Sequence, residues 1–162
     1  KHNIIPDEVQ LKLTVRSYRD DVRLQLRRAI ERIVRGEAVS AGAPEPVIVH
    51  NEGTPSTYND PALVARCVPV LEAALGRHRV EPAEPVMGGE DFSLYGRAGV
   101  PAFMFWLGAV DARKIAHSKE TGGAPLPSLH SALFAPAPEP TITGGVTAAS
   151  AAVLHLLQHR SD

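Results

Sequence analysis

The sequence predicts an α/β chain in two parts, and three features carry that expectation. Val9, Leu11, Leu13 and Val15 alternate with Gln10, Lys12, Thr14 and Arg16, the period of two that gives a half-buried strand one apolar and one polar face. Val22, Leu26, Ile30, Ile33 and Val34 then recur at helical spacing. Further on, "VPAFMFWLG" (Val100 to Gly108) is apolar without alternation, as expected of a central strand buried on both faces.

Each element can be justified in order. Arg16 falls on the polar face of the first strand, away from the core of its own sheet. Asp20 or Asp21 can cap the next helix, and Gly36 can end it. Arg23, Arg27, Arg28, Arg32 and Arg35 cover much of that helix, either as a solvated face or as a subunit interface. "PVIVH" (Pro46 to His50) predicts a second short strand, so this region makes half of a small α+β sandwich. "NEGTPSTYNDP" breaks the pattern with Gly, Pro and small polar residues, which places a domain crossing there. Asn59 or Asp60, with Pro61, starts a helix to about Leu75, striped by Leu63, Val64, Val68, Leu71 and Leu75 and kinked at Pro69. "EPAEPVMGGEDFS" is extended and then turns, with a short helix over Phe92 to Arg97. Asp111 to Ser128 is polar and rich in Gly and Pro, hence a long loop of the kind that serves a site. The last helix runs from about Thr143 to Gln158, where Ala148, Ala149, Ala151 and Ala152 allow close packing on the sheet.

Apolar residues make up 44% and charged residues 22% of the 162, the balance of a folded chain rather than a disordered one. A formal net charge of -1 gives no reason to expect nucleic acid or an acidic membrane surface as partner. The one cysteine, Cys67, excludes an internal disulfide and fits a reducing, cytoplasmic compartment. Its apolar helical setting predicts a buried, inert thiol. No run is expected to reach the roughly 20 apolar residues of a membrane span, and no signal peptide opens the chain. The chain begins without Met, almost directly in a strand, an unusual start for a natural protein.

Chemistry-bearing motifs are few. GxGxxG, Walker A, CxxC, HExxH and GxSxG are all absent. His155 and His159, four apart near the C-terminus, read as surface residues. His130 follows the long Gly/Pro-rich loop where the chain re-enters the fold, as a structural residue or as a ligand. In "MGGEDFS" (Met87 to Ser93), Gly88 and Gly89 allow a ligand close to bare N–H groups. Asp91 reads as an N-cap. Glu90 reads as a first-turn carboxylate favoured by the helix dipole or as a site residue.

Taken together and in order, "NIIPDEVQLKLTVRS", "MGGEDFS" and "LHSALF" resemble the C-terminal part of the M20 metallopeptidase family. The similarity is strongest to its amidohydrolase branch of hippurate hydrolase-like and auxin-conjugate hydrolase-like enzymes, and it spans nearly the whole chain. The resemblance implies a central-sheet metallohydrolase catalytic domain with two divalent metal ions, zinc or manganese. It also implies a smaller α+β, ferredoxin-like lid that forms a homodimer. On that basis residues 1–58 are the second half of the lid, and residues 59–162 are the C-terminal part of the catalytic domain. His130 corresponds to the last metal ligand. Asn3 and Arg16 correspond to lid residues that hold a substrate carboxylate, which the planar fork of arginine suits. Gly88 and Gly89 correspond to a loop at the active-site mouth. The implied reaction is hydrolysis of the amide bond of a small-molecule substrate, an N-acyl amino acid or small peptide.

The family's other metal ligands and its acidic general base lie in an N-terminal half without counterpart here, so no catalytic residue is expected in this chain. A single His cannot hold a catalytic metal, which needs about three protein ligands. The chain is therefore expected to be a fragment, inactive alone. The alternative expectation is a non-enzymatic α/β binding or dimerisation module in which His130 and "GGED" have no chemical role.

Overall fold

Five α-helices organise the chain in a computed structural model that describes Asn3 and residues 5–158. They are α1 (Asp20–Ser40), α2 (Pro61–Leu75), α3 (Ser93–Arg97), α4 (Ala112–Ser118) and α5 (Pro138–Gln158), with a 3-10 turn at Arg77–Arg79. The chain divides into two compact units. Residues 1–58 and 85–100 form the first, and residues 59–84 and 101–162 form the second.

No β-strand is present among the described residues, which corrects the expected central-sheet α/β domain and the ferredoxin-like α+β half. A strand exists only as one side of a hydrogen-bonded ladder. Alternating apolar residues supply a face but no partner. Among the described residues no backbone hydrogen bond joins residues 9–16 to residues 46–50, and Val9, Leu11 and Leu13 are 65–74% exposed. "VPAFMFWLG" is corrected in the same way: Ala102 is buried, but Val100, Trp106 and Leu107 are exposed.

In the first unit, α1 begins without a side-chain cap, Arg19 taking the N-cap position. Asp20 and Asp21 instead occupy the first turn, where the exposed N–H groups favour negative charge. The helix runs through Gly36 to Ser40, past its expected end. A helical glycine costs only about 1 kcal/mol, and a break there needs the left-handed turn that Gly42, at φ 65, adopts instead. No residue of α1 is buried. Polar ties hold the returning segment to it. Arg35 donates to Glu45 (2.9 Å) and Glu31 (3.3 Å), and His50 Nε2 lies 2.7 Å from Glu31 Oε1.

The second unit has a core. Asp60 Oδ1 accepts the Leu63 N–H at 2.8 Å, Pro61 opens α2, and the helix continues through Pro69 to Leu75. Gly76, at φ 95, ends it. Helix α5 starts at Pro138, earlier than expected, with Pro138 and Pro140 in its first turn, where a missing N–H leaves no bond unmade. Ala148 and Ala152 of α5 pack with Leu71 of α2, and Leu75, Val80 and Phe103 close around them. The alanine row thus packs on a helix, where a sheet was expected. Cys67 is buried as expected, and burial pushes its thiol pKa up.

The Asn59 side chain donates to the Met104 carbonyl and accepts its N–H, both at 2.8 Å, while the Asp60 N–H donates to the Ala102 carbonyl. This pairing tethers residues 102–104 beside the start of α2. The expected loop from Asp111 contains α4, whose start Asp111 caps by accepting the Arg113 N–H at 2.9 Å. By length and composition α5 is also apolar enough to cross a membrane, at a mean hydropathy of 1.3, which corrects the expectation that no such run exists.

Candidate functional site

The twin glycines belong to the first unit. Residues 85–90 have no regular secondary structure, and α3 follows within three residues. The expected N-cap role of Asp91 is corrected. The Glu90 carboxylate accepts the Phe92 N–H at 3.1 Å, and the Glu90 carbonyl accepts the buried Ser93 hydroxyl at 2.7 Å. Asp91 contributes only its carbonyl, to the Leu94 N–H at 2.9 Å. Glu90 is one residue closer to the glycine loop, and its longer side chain reaches the same frayed turn.

Gly89 is where side chains from two other segments meet the loop. A β-carbon at this position would lie 3.3 Å from Arg16 Nη1 and 4.0 Å from Thr54 Oγ1. A side chain here would require the Arg16 guanidinium, the tip of a flexible exposed side chain, to give by a few tenths of an ångström. Arg16 is exposed, and no salt bridge among the described residues engages it. The corner therefore holds a positive charge, a hydroxyl and a glycine backbone. These are the donor types that meet a carboxylate.

The structure thus brings Arg16 and Gly89 together, with Gly88 adjacent. Asn3 is exposed in a turn, and among the described residues no hydrogen bond links it to this corner. Sequence reasoning misses Thr54, because along the chain it is one small polar residue in a segment that reads as a crossing. Only its placement beside Gly89 singles it out.

His130 lies in the second unit, exposed, at a turn closed by the Ser131 N–H to the Ser128 carbonyl (2.9 Å) and the Phe134 N–H to the Ser131 carbonyl (3.0 Å). Its ring is not packed among apolar side chains. Among the described residues no group of three or more His, Cys, Asp or Glu can hold a metal ion, so these residues do not fit a complete metal centre. His155 is half-buried, and His159 lies outside the described residues. An open groove of about 400 Å³ between the end of α2 and the start of α5 is lined by Leu75, Arg79, Glu139, Thr143 and Thr147 and contains none of the sequence-predicted site residues.

Residues 10–130 match the model of Peptidase family M20/M25/M40. The chain belongs to this family. The M20 chain is 33% identical over 117 residues to an N-acetyldiaminopimelate deacetylase of Geobacillus thermodenitrificans, covering 72% of this chain and 30% of that protein. It is 35% identical over 107 residues to the putative amidohydrolase YhaA of Bacillus subtilis, covering 66% of this chain and 26% of that protein. A thermostable carboxypeptidase of Saccharolobus solfataricus is 32% identical over 114 residues, covering 70% and 28%. The chain thus spans less than a third of the length of these relatives. No solved structure matches.

Proposed function

We propose that this M20-family chain is part of a metal-dependent amidohydrolase that cleaves the amide bond of N-acyl amino acids or small peptides, and that it is inactive alone. One observation carries the reading: the Arg16 guanidinium, engaged by no carboxylate among the described residues, lies beside Gly89 and Thr54. A cation kept beside bare backbone and a hydroxyl suits the carboxylate of such a substrate, which an arginine can meet with two parallel hydrogen bonds. The relatives' names, a deacetylase, an amidohydrolase and a carboxypeptidase, support the reaction class.

In this reading residues 1–58 belong to a lid that dimerises and residues 59–162 to the catalytic domain, with Asn3 joining Arg16, Gly88 and Gly89 when substrate binds. His130 is one ligand to a divalent ion, zinc or manganese. The described residues supply no complete ligand set, so the remaining ligands are assigned to the part of the relatives' length that this chain does not span.

The test is a chimera in which residues 10–130 replace the matching segment of the Geobacillus relative. Purified chimera is expected to carry bound divalent metal, and His130→Ala is expected to lower the metal content per chain. A folded chimera whose metal content is indifferent to His130 would refute that assignment.

A further inference from the structure

Within the first unit, two contacts converge on the short turn that follows Arg16. The Ser56 hydroxyl donates to the Tyr18 carbonyl at 2.8 Å, and the Arg97 guanidinium pairs with Asp20 at 2.5 Å. Arg23 also approaches Asp20, at 3.5 Å, and Ser17 closes the turn through the Arg19 carbonyl at 3.0 Å. Ser56 is two residues beyond Thr54, and Arg97 ends the helix that follows the twin glycines. Each segment that meets Arg16 is therefore fastened to the Tyr18–Asp20 stretch, the Thr54 segment close to its point of contact and the glycine loop at the far end of α3. Without these ties, Arg16 and Gly89 are joined covalently only through the long stretch of chain between them, and holding them together costs loop entropy.

We propose that Thr54 is a further donor to the bound carboxylate and that the Asp20–Arg97 ion pair is a positioning device that keeps the glycine loop against Arg16. The proposal rests on the carboxylate reading above and adds what that reading lacks, a donor and a tether. Thr54 donates its hydroxyl proton to a carboxylate oxygen while Arg16 and the Gly88 and Gly89 N–H groups approach the same anion. The Glu90 carboxylate, next to the twin glycines, is engaged by the Phe92 N–H. Arg97 and Asp20 touch no ligand. They act by fixing α3, and hence the loop leading into it, to the first residue of α1.

The experiment is a titration of the isotope-labelled full chain with N-acetylglycine and with its carboxamide, N-acetylglycinamide, read by NMR at the Gly88 and Gly89 amides and the Arg16 Nε–H. The carboxylate is expected to shift these signals and the carboxamide to leave them in place. Thr54→Val is expected to weaken carboxylate binding about tenfold, the scale of one hydrogen bond to a charged group. Arg97→Met and Asp20→Asn are expected to weaken it about threefold, as suits an exposed pair, while Arg97→Lys retains most of it. If the wild-type chain binds no carboxylate, the clamp reading falls and this proposal with it. If the wild type binds but Thr54→Val and Arg97→Met bind equally well, the clamp stands and this proposal is overturned. A loss of α3 protection in Arg97→Met with unchanged affinity makes the pair merely structural and also overturns it.

Discussion

The two units of this chain are held together by different forces. The second has an apolar centre, where Leu71, Ala148 and Ala152 pack with Leu75, Val80 and Phe103. The first has no buried apolar side chain among the described residues, and its one buried residue is Ser93. What ties the first unit together is polar: the half-buried contact of Glu31 with His50, and the more exposed ties of Glu31 with Arg35, Asp20 with Arg97, and Ser56 with the Tyr18 carbonyl. Exposed ion pairs each contribute about 0–1 kcal/mol, whereas a buried leucine contributes several times that. The difference teaches where rigidity and where the candidate binding corner lie. Stability resides in α2 and α5, while Arg16, Thr54 and Gly89 sit in the unit whose order depends on charge.

The sharpest way to break this comparison is at its strongest point. Leu71→Ala is expected to destabilise the second unit by about 3 kcal/mol, the usual cost of emptying a buried leucine site. Hydrogen exchange should show α2 and α5 losing protection while α1 is unaffected. Equal loss in both units would show a shared core and erase the distinction.

The next effect runs the other way. Gly36 lies within α1 with nothing within 4 Å of where a β-carbon would stand, so Gly36→Ala is expected to stabilise that helix by about 1 kcal/mol. Amide protection along α1 measures it, and lower protection would mean the helix has a tertiary contact at this point.

The smallest effect is the most specific to the first unit. Hydrogen bonds from His50, and then from Arg35, hold the Glu31 carboxyl pKa below its usual value. The stabilisation this gives is complete above the ordinary glutamate range and is lost as pH falls through the lowered pKa. Side-chain NMR cross-peaks between Glu31 and His50 should therefore weaken on acidification below that range and on raising salt. Glu31→Gln should remove the pH dependence and leave α2 and α5 unchanged. A pH response that survives this substitution would assign the tie to another group.

The same contrast explains what is legible in the sequence. Helix α2 can be read because its signals are local: Asp60 at the cap, Pro61 behind it, and a leucine stripe ending at Gly76. Helix α5 begins before its apolar pattern does because Pro138 and Pro140 resemble helix breakers, although the first turn is where proline fits. The strands fail for a different reason. Alternation in residues 9–16 reports which side chains share a face, but pairing is a relation with another segment, and one sequence segment does not contain it. The site is legible only in part, for a similar reason. Family motifs point to Arg16, Gly88, Gly89 and His130. The meeting of Arg16 with Gly89, and the arrival of Thr54 beside them, is tertiary and leaves no mark on local spacing.

Whether the Arg16 corner is a carboxylate site in an amide-cleaving enzyme is tested most directly by kinetics of the chimera carrying residues 10–130. Hydrolysis of an N-acetyl amino acid should show KM raised about tenfold or more by Arg16→Ala with metal content retained, the scale of losing a charge-assisted pair. The corresponding carboxamide should be turned over poorly by both proteins. An Arg16→Ala chimera with unchanged KM for the carboxylate substrate would contradict this assignment.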